Sequence, residues 1–197
     1  MIIKINGEPL AYTLEEEKNI GEVLGSIEAA CRREHETIVK VQVDGKDLAP
    51  DELDRFFSRS IDTDSTIDLS TLSGTAVCGY MRELTQELLR YADDFEQIPV
   101  YMQTGKEVQA LSLLEAFSMK LNELYRSLLL SDITGLPAEI RIDGKPFYEY
   151  QKEITALLQD IVSSIEEKDI IQVGDLAEYE LAPLVKNLTN GVSLFLI

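Results

Sequence analysis

The spacing of apolar residues changes once along the chain, and that change constrains the fold more than any other feature of the sequence. Before residue 72, apolar residues mostly alternate with polar ones, which is typical of strands with one buried face. After Gly74 they recur every three or four residues, which is typical of helices that bury one stripe. Thr71-Leu72-Ser73-Gly74 separates the two patterns. The sequence therefore predicts an α+β domain over 1–72 and an all-α domain over 75–197.

The N-terminal pattern predicts the order strand, strand, helix, strand, short helix, strand. Asn6-Gly7 is a favoured two-residue hairpin turn and joins the first two strands. Asn19 is a suitable N-cap for the helix. The predicted buried stripe of this helix is Ile20, Val23, Leu24, Ile27 and Cys31. The predicted inward residues of the third strand are Val39, Val41 and Val43, those of the short helix are Leu53, Phe56 and Phe57, and those of the last strand are Ile67 and Leu69.

This order of elements resembles the ubiquitin-like β-grasp fold. The resemblance depends on three parts of the sequence. They are Asp44-Gly45-Lys46-Asp47-Leu48, the pair Leu53 and Phe56, and Ser65-Thr66-Ile67-Asp68-Leu69. They are similar to the turn, short helix and final strand of ubiquitin, and they imply a β-grasp fold for the N-terminal domain without implying a function. Ubiquitin ends in a free Gly-Gly carboxylate, whereas Ser73-Gly74 continues into the second domain. Conjugation is therefore excluded.

The C-terminal pattern predicts four amphipathic helices, for which a four-helix bundle is the default arrangement. The first stripe runs from Val77 to Ile98 and is expected to stop at Pro99. Thr104 and Glu107 are spaced as a capping box for the second helix. The second stripe is Val108, Leu111, Leu114, Leu121, Leu124 and Leu128. The third is Tyr150, Ile154, Leu157, Ile161 and Ile165, and the fourth is Leu176, Tyr179, Leu184 and Leu188, which Pro183 should kink or split.

The segment between the second and third helices, Asp132 to Phe147, contains a short stretch that is similar in sequence to part of the first domain. Ile140-Arg141-Ile142-Asp143-Gly144-Lys145 is similar to Val41-Gln42-Val43-Asp44-Gly45-Lys46. Two interpretations are open, namely an internal duplication of the β-grasp domain and two independent Asp-Gly turns after short extended runs. The second is favoured because Asp-Gly turns recur widely.

The charge of the chain limits its partners. Lys and Arg number 18 against 36 Asp and Glu, which leaves a net charge of −18. Nucleic acid and anionic membranes repel such a surface, so a neutral or basic protein is the expected partner. The two cysteines form no disulfide framework, and the N-terminus lacks the apolar run of a signal peptide. We expect a cytoplasmic bacterial protein.

Known catalytic and ligand motifs are missing from the sequence. The Gly-Lys pairs lack the upstream glycine of a phosphate-binding loop, and the chain has one histidine, so no metal or cofactor site is predicted. Cys31 and His35 are spaced to touch on one helix, but a third orienting group and an oxyanion site are not evident. Most simply, Cys31 is a core residue and His35 a solvated one near a helix end. The sequence therefore predicts no catalytic residue and no enzyme.

Two stretches are candidate partner-binding residues. The first is the acidic and aromatic segment with Asp175, Glu178, Tyr179 and Glu180, within a stretch that resembles uncharacterised bacterial helical-bundle proteins. The second is the apolar tail Leu194, Phe195, Leu196 and Ile197. Chain termini are usually polar and frayed, so this tail is expected to pack within the molecule, on a partner or on a second copy.

The leading hypothesis is a non-catalytic protein–protein interaction protein, acting as an adaptor, assembly factor or chaperone-like regulator. Its two folds offer a sheet edge for strand addition and a helix groove. One alternative is an enzyme or small-molecule sensor that uses tyrosine and carboxylate groups in an inter-domain cleft. The other is a structural protein that self-assembles into a homo-oligomer through its apolar tail.

Overall fold

A computed structural model describes residues 1–14, 16–61, 64–137 and 139–196, and the chain divides into two compact units. The first unit is Met1–Val77 with Asp132–Gly135, and the second is Cys78–Ser131 with Leu136–Ile197. The protein is mixed α+β, with an N-terminal sheet followed by a helical region.

The first unit is built on a five-stranded sheet with two helices. The strands are β1 Ile2–Ile5, β2 Glu8–Pro9, β3 Glu36–Val43, β4 Lys46–Asp47 and β5 Thr66–Ser73, and the helices are α1 Ile20–Arg33 and α2 Leu53–Phe57, preceded by a 3₁₀ turn at Pro50–Glu52. The strand order is β2-β1-β5-β3-β4. Strands β1 and β5 pair in parallel, and every other neighbouring pair is antiparallel. The predicted hairpin turn is confirmed, with φ of 52° at Asn6 and 84° at Gly7.

Helix α1 packs its predicted stripe into the core of this unit. Its first turn is capped as expected, because the side-chain oxygen of Asn19 accepts the N–H of Glu22 at 2.9 Å. All five stripe residues from Ile20 to Cys31 are buried. The sheet contributes Ile3, Val41, Ile67 and Leu69 to the same core, and α2 contributes Phe56.

The prediction for the third strand is wrong at one residue. Val39 was expected to point inward with Val41 and Val43, but it is 56% exposed. The pairing of β3 with β5 shifts register between Ile38 and Lys40, so a β-bulge adds one residue there. A bulge reverses the alternation of side chains. Ile38 therefore packs against the core in place of Val39.

The described residues after Ser73 form seven α-helices, where the sequence predicted four. The long ones are joined by short helices and by a 3₁₀ turn at Phe95–Gln97. They are α3 Gly74–Asp94, α4 Ile98–Gln103, α5 Glu107–Leu128, α6 Ser131–Thr134, α7 Phe147–Glu167, α8 Ile170–Asp175 and α9 Ala182–Ser193.

Two predicted boundaries around α4 are wrong. Pro99 does not stop the first helical run, because it lies in the first turn of α4, where its missing N–H needs no partner. Thr104 does not cap α5. Its hydroxyl instead donates to the carbonyl of Val100 at 2.8 Å and closes α4, while Lys106 precedes α5 without a side-chain cap.

The second predicted stripe starts on the wrong face. Val108 is 76% exposed and Leu111 is exposed as well. The later residues Leu114, Leu121 and Leu124 are buried as predicted, but in the first turn of α5 it is Ala110 that faces the core. Phe117 was not predicted, yet it is fully buried and lies edge-to-face with Phe95 at 5.0 Å between ring centroids. The buried stripe is Ala110, Leu114, Phe117, Leu121 and Leu124.

The fourth predicted helix is interrupted just before Pro183, which lies in the first turn of α9. A π-helical turn over Leu176–Leu181 joins α8 to α9. Proline cannot donate the usual backbone hydrogen bond, and the wider turn accommodates its ring. This turn also changes the buried face, so Tyr179 is exposed. The buried apolar residues from α8 to α9 are Val173, Ala177, Leu181, Ala182, Val185, Leu188 and Val192.

The segment before α7 is a separate hairpin of strands β6 Arg141–Ile142 and β7 Lys145–Pro146. Asp143 and Gly144 have φ of 52° and 81°, as an Asp-Gly turn requires. These strands form a two-stranded sheet of their own. Gly191 of α9 lies against Ile142, whose side chain occupies the space that a Cβ would need.

Candidate functional site

An apolar groove opens on the first unit between helix α1 and the β3–β4 side of the sheet. Its volume is about 550 Å³. The floor is mostly aliphatic and aromatic, and charged side chains occur at its margins. The residues that line it are Gly21, Leu24, Gly25, Glu28, Ile38, Val39, Lys40, Val41, Asp47, Leu48, Pro50, Leu53 and Phe57.

Two glycines of α1 form the helix wall of the groove. Gly21 and Gly25 are four residues apart and share a helix face. A Cβ at Gly21 would lie 3.0 Å from the Cβ of Phe57, so α2 requires glycine there. A Cβ at Gly25 would meet nothing within 4 Å. Glycine in a helix costs about 1 kcal/mol relative to alanine. Packing within the unit therefore does not explain why residue 25 is a glycine. Because Gly25 has no side chain, the helix backbone is accessible from the groove at this position.

Glu28 joins the two walls of the groove. Its carboxylate accepts the main-chain N–H of Ile38 at 2.8 Å, the hydroxyl of Thr37 at 2.7 Å and Nε of Arg32 at 2.8 Å. Burial alone would raise the pKa of Glu28, but these hydrogen bonds and the charge of Arg32 outweigh it and hold the pKa below its usual value. The carboxylate is therefore ionised at neutral pH and occupies the edge of β3.

Other groups along the edge of the sheet are also paired. The carbonyl of Val41 accepts the N–H of Leu48 at 3.0 Å, and β4 pairs with the end of β3. The opposite edge, Glu8–Pro9, is very short and carries a proline without an N–H. Short strands, proline and inward charges are the usual devices that prevent strand addition. The groove thus offers apolar side-chain contacts rather than an open strand edge.

The charges at the groove margin are mostly engaged. Lys40 Nζ lies 2.9 Å from a carboxylate oxygen of Asp47. The side-chain hydrogen bond from Gln42, followed by that from Lys40, lowers the pKa of Asp47. Both carboxylates of the groove, Glu28 and Asp47, are therefore stabilised in their charged form. Between them, the exposed side chain of Val39 extends the apolar surface at the β-bulge.

The first predicted partner-binding segment lies at the π-helical turn. Asp175 ends α8, and Glu178, Tyr179 and Glu180 follow within the turn. All four are exposed, with Tyr179 at 67%. The negative charge of Glu178 raises the pKa of Tyr179, with a hydrogen bond to the same residue adding to the effect. The segment is an acidic surface with one accessible aromatic ring.

The second predicted segment, the tail, is divided between surface and core. Leu194 is 72% exposed, Phe195 is half-buried and Leu196 is buried. Nε of Arg82 in α3 donates to the carbonyl of Leu196 at 2.6 Å. Residues through Leu196 thus fold back within the second unit, and Ile197 lies outside the described residues.

The structure does not bring the two predicted segments together. Tyr179 and Leu194 lie on one nearly continuous helical run, and a rise of 1.5 Å per residue separates them by about 20 Å. Sequence reasoning missed the groove altogether. The available signal was the Gly21-Glu22-Val23-Leu24-Gly25 spacing, which places two bare positions on one face of a helix.

The two residues considered for nucleophilic catalysis, Cys31 and His35, lie in different surroundings. Cys31 is buried, and burial together with the charges of Glu28 and Glu36 raises the pKa of its thiol. His35 is exposed just beyond the end of α1, with a left-handed φ of 59°. Within residues 1–14, 16–61, 64–137 and 139–196, no three His, Cys, Asp or Glu side chains form a group that could hold a metal ion. Across those same residues, no helix has the length and apolar character to cross a membrane.

Comparison with known proteins gives a match for each part of the chain. A model described as the TP0873 N-terminal domain matches residues 1–73, and one described as Domain of unknown function (DUF8042) matches residues 80–191. A Treponema pallidum (strain Nichols) protein named "Uncharacterized protein" is 45% identical over 192 residues, covering 98% of this chain and 96% of that protein. No solved structure matches the chain. The chain belongs to the family described as Domain of unknown function (DUF8042), with a TP0873 N-terminal domain preceding it.

Proposed function

We propose that this chain is a non-catalytic protein–protein interaction protein that binds an amphipathic helix of its partner in the groove beside α1. The observation that carries the proposal is the open space beside Gly25, where a Cβ would meet nothing within 4 Å. Glycine destabilises the helix relative to alanine, and no contact within the unit requires a glycine there. A bare helix surface beside an apolar floor allows close approach of another backbone. Adaptors, assembly factors and chaperones bind in this manner.

The groove binds a helix rather than a strand, because backbone groups at this edge of the sheet already have hydrogen-bond partners. Glu28 holds the N–H of Ile38, and Leu48 holds the carbonyl of Val41, so an incoming strand would have to displace both. A helix needs only apolar contacts at positions spaced by three and four residues. The floor that would receive them includes Leu24, Leu48 and Phe57.

The partner helix is neutral or basic on its polar face. Glu28 and Asp47 lie at the groove margin, and the whole chain carries a net charge of −18. Complementary charge speeds association and disfavours acidic competitors. The same charge disfavours nucleic acid and anionic membranes. A chaperone for a subunit held in the cytoplasm before assembly is a specific form of this function.

We also propose finer fold assignments for both units. The order β2-β1-β5-β3-β4, with its central parallel pair and α1 between β2 and β3, supports a β-grasp domain. The four long helical runs α3, α5, α7 and α8–α9 support a four-helix bundle in the second unit. In that unit, Phe117 of α5 packs against Tyr91 of α3 and against Phe95.

A peptide selection with matched variants tests the proposed function. A display library of amphipathic helical peptides is selected on the full chain, and the winners are measured against Gly25→Gln, which fills the groove, and Gly79→Gln as control. Gly79 is also a helical glycine whose Cβ would meet nothing within 4 Å. We expect at least about tenfold weaker binding by Gly25→Gln alone, since losing a central contact costs more than about 1 kcal/mol. Equal binding by both variants would refute the groove as the site.

A further inference from the structure

A second cavity lies within the helical unit, at the C-terminal end of α5 and the start of α7. Its volume is about 380 Å³, which is within the range of small-molecule sites. Its walls are largely aromatic and aliphatic. The residues that give it this character are Tyr125, Leu129, Pro137, Ile140, Phe147 and Tyr148.

The hydroxyl of Tyr125 is the unusual group in this cavity. It is inaccessible to solvent and has no hydrogen-bond partner among the residues that the structure describes. Burial raises the pKa of Tyr125 well above its usual value, so the hydroxyl stays protonated and can donate. An unpaired buried donor destabilises the fold that contains it. A group that supplies an acceptor from outside the chain would remove that cost.

The ring of Tyr125 is held in place by its neighbour. Phe147 packs against it edge-to-face, with 4.9 Å between the ring centroids and an angle of 75° between the ring planes. Aromatic pairs of this geometry are attractive beyond the area they bury. The ring that carries the donor is therefore held in place within the lining of the cavity.

A positive charge lies at the edge of the same cavity. Arg126 lines it and has no ion-pair partner in the described part of the chain. The other charged residue of the lining is Glu139, and it is paired with Arg141 at 3.0 Å. Because the whole protein carries a net charge of −18, an unpaired guanidinium at a cavity is notable. Arginine forms strong charge-assisted hydrogen bonds with carboxylates.

We propose that this cavity binds a small apolar molecule that carries a carboxylate. The apolar part lies against Phe147, Ile140 and Leu129. A carboxylate oxygen accepts the hydrogen bond from the Tyr125 hydroxyl, and the negative charge interacts with Arg126. Binding at this site is independent of the helix-binding groove, which belongs to the other unit.

The test uses octanoate as probe and octan-1-ol as its uncharged analogue, titrated into the full chain by isothermal calorimetry. Four proteins are compared, which are wild type, Tyr125→Phe, Arg126→Gln and the control Tyr150→Phe. We expect octanoate to bind wild type and Tyr150→Phe equally, and Tyr125→Phe about tenfold more weakly, as for the loss of one hydrogen bond to a charged group. Arg126→Gln should bring octanoate and octan-1-ol to similar affinities.

Thermal unfolding without probe separates a ligand-binding role of the hydroxyl from a structural one. Tyr125→Phe removes an unpaired buried donor, so its melting temperature should equal or exceed that of wild type, while its affinity for octanoate falls. A lower melting temperature for Tyr125→Phe would mean that the hydroxyl is satisfied internally, and would overturn the proposal. Failure of wild type to bind octanoate, or equal binding by Tyr125→Phe, would overturn it as well.

Discussion

The carboxylate of Glu28 accepts the main-chain N–H of Ile38 at 2.8 Å, and this contact joins helix α1 to strand β3 across the groove. The same carboxylate holds Thr37 and Arg32. It lies beside the β-bulge, where the irregular strand would otherwise leave a donor at the sheet edge. This side chain therefore links the two walls of the groove and holds one backbone donor at the edge of the strand.

The first prediction concerns pH. The pKa of Glu28 is lower in the folded state than its unfolded value of about 4.3, so its contribution to stability is complete above that value and is lost as the pH falls through the folded pKa. Glu28→Gln keeps an acceptor but loses the charge, and should lower the free energy of unfolding by about 1 kcal/mol at pH 7. The difference from wild type should shrink below pH ~4.3.

Urea denaturation followed by circular dichroism at several pH values between 3 and 7 measures this difference. Glu8→Gln is the control, because Glu8 lies on the exposed edge strand β2 and makes no side-chain hydrogen bond among the described residues. A difference between Glu28→Gln and wild type that is constant over the whole pH range would contradict the prediction.

The second prediction is that two helical glycines respond oppositely to alanine. Gly25→Ala places a methyl group in open space and removes the flexibility of glycine, so it should stabilise the chain by about 1 kcal/mol. Gly191→Ala places a methyl group in the space of the Ile142 side chain and should destabilise it by about 1 to 3 kcal/mol. Thermal unfolding of the two variants measures whether each substitution raises or lowers the stability. If Gly25→Ala is destabilising, the helix face at Gly25 is not open.

The sequence predicted most of the first unit because its signals there are local. The Asn6-Gly7 turn, the Asn19 cap and the stripe from Ile20 to Cys31 each depend on residues that are near one another in sequence. Val39 was placed wrongly because a β-bulge arises from how two distant strands pair, which the period of one strand does not reveal.

The candidate site was harder to foresee for the same reason. The groove is assembled from α1, β3, β4 and α2, and Gly25 becomes informative only when the empty space beside it is known. Similarly, nothing in the sequence distinguishes Tyr125 from the other tyrosines, because an unpaired hydroxyl is a property of the folded surroundings. The acidic segment around Tyr179 was evident from composition alone.

The third prediction concerns which residues of α5 are buried. Phe117 is fully buried between Phe95 and Tyr91, so Phe117→Ala should cost about 3 to 5 kcal/mol of unfolding free energy. Val108 belongs to the stripe that the sequence predicted, but it is exposed, and Val108→Ala should change stability by less than about 0.5 kcal/mol. Urea denaturation of both variants gives the comparison, and similar losses would mean that Val108 at the start of α5 is buried after all.

The fourth prediction divides the apolar tail into a structural residue and an exposed one. Leu196 is buried and its carbonyl accepts from Arg82, so Leu196→Ala should lower the free energy of unfolding by about 2 to 5 kcal/mol. Leu194 is exposed, and Leu194→Ala should leave that free energy within about 0.5 kcal/mol of wild type. The solution mass of Leu194→Asp, measured by light scattering, then tests self-assembly without unfolding the tail. We expect the mass of Leu194→Asp to equal that of wild type, because the groove rather than the tail is the proposed contact surface; a lower mass would show instead that Leu194 holds copies of the chain together.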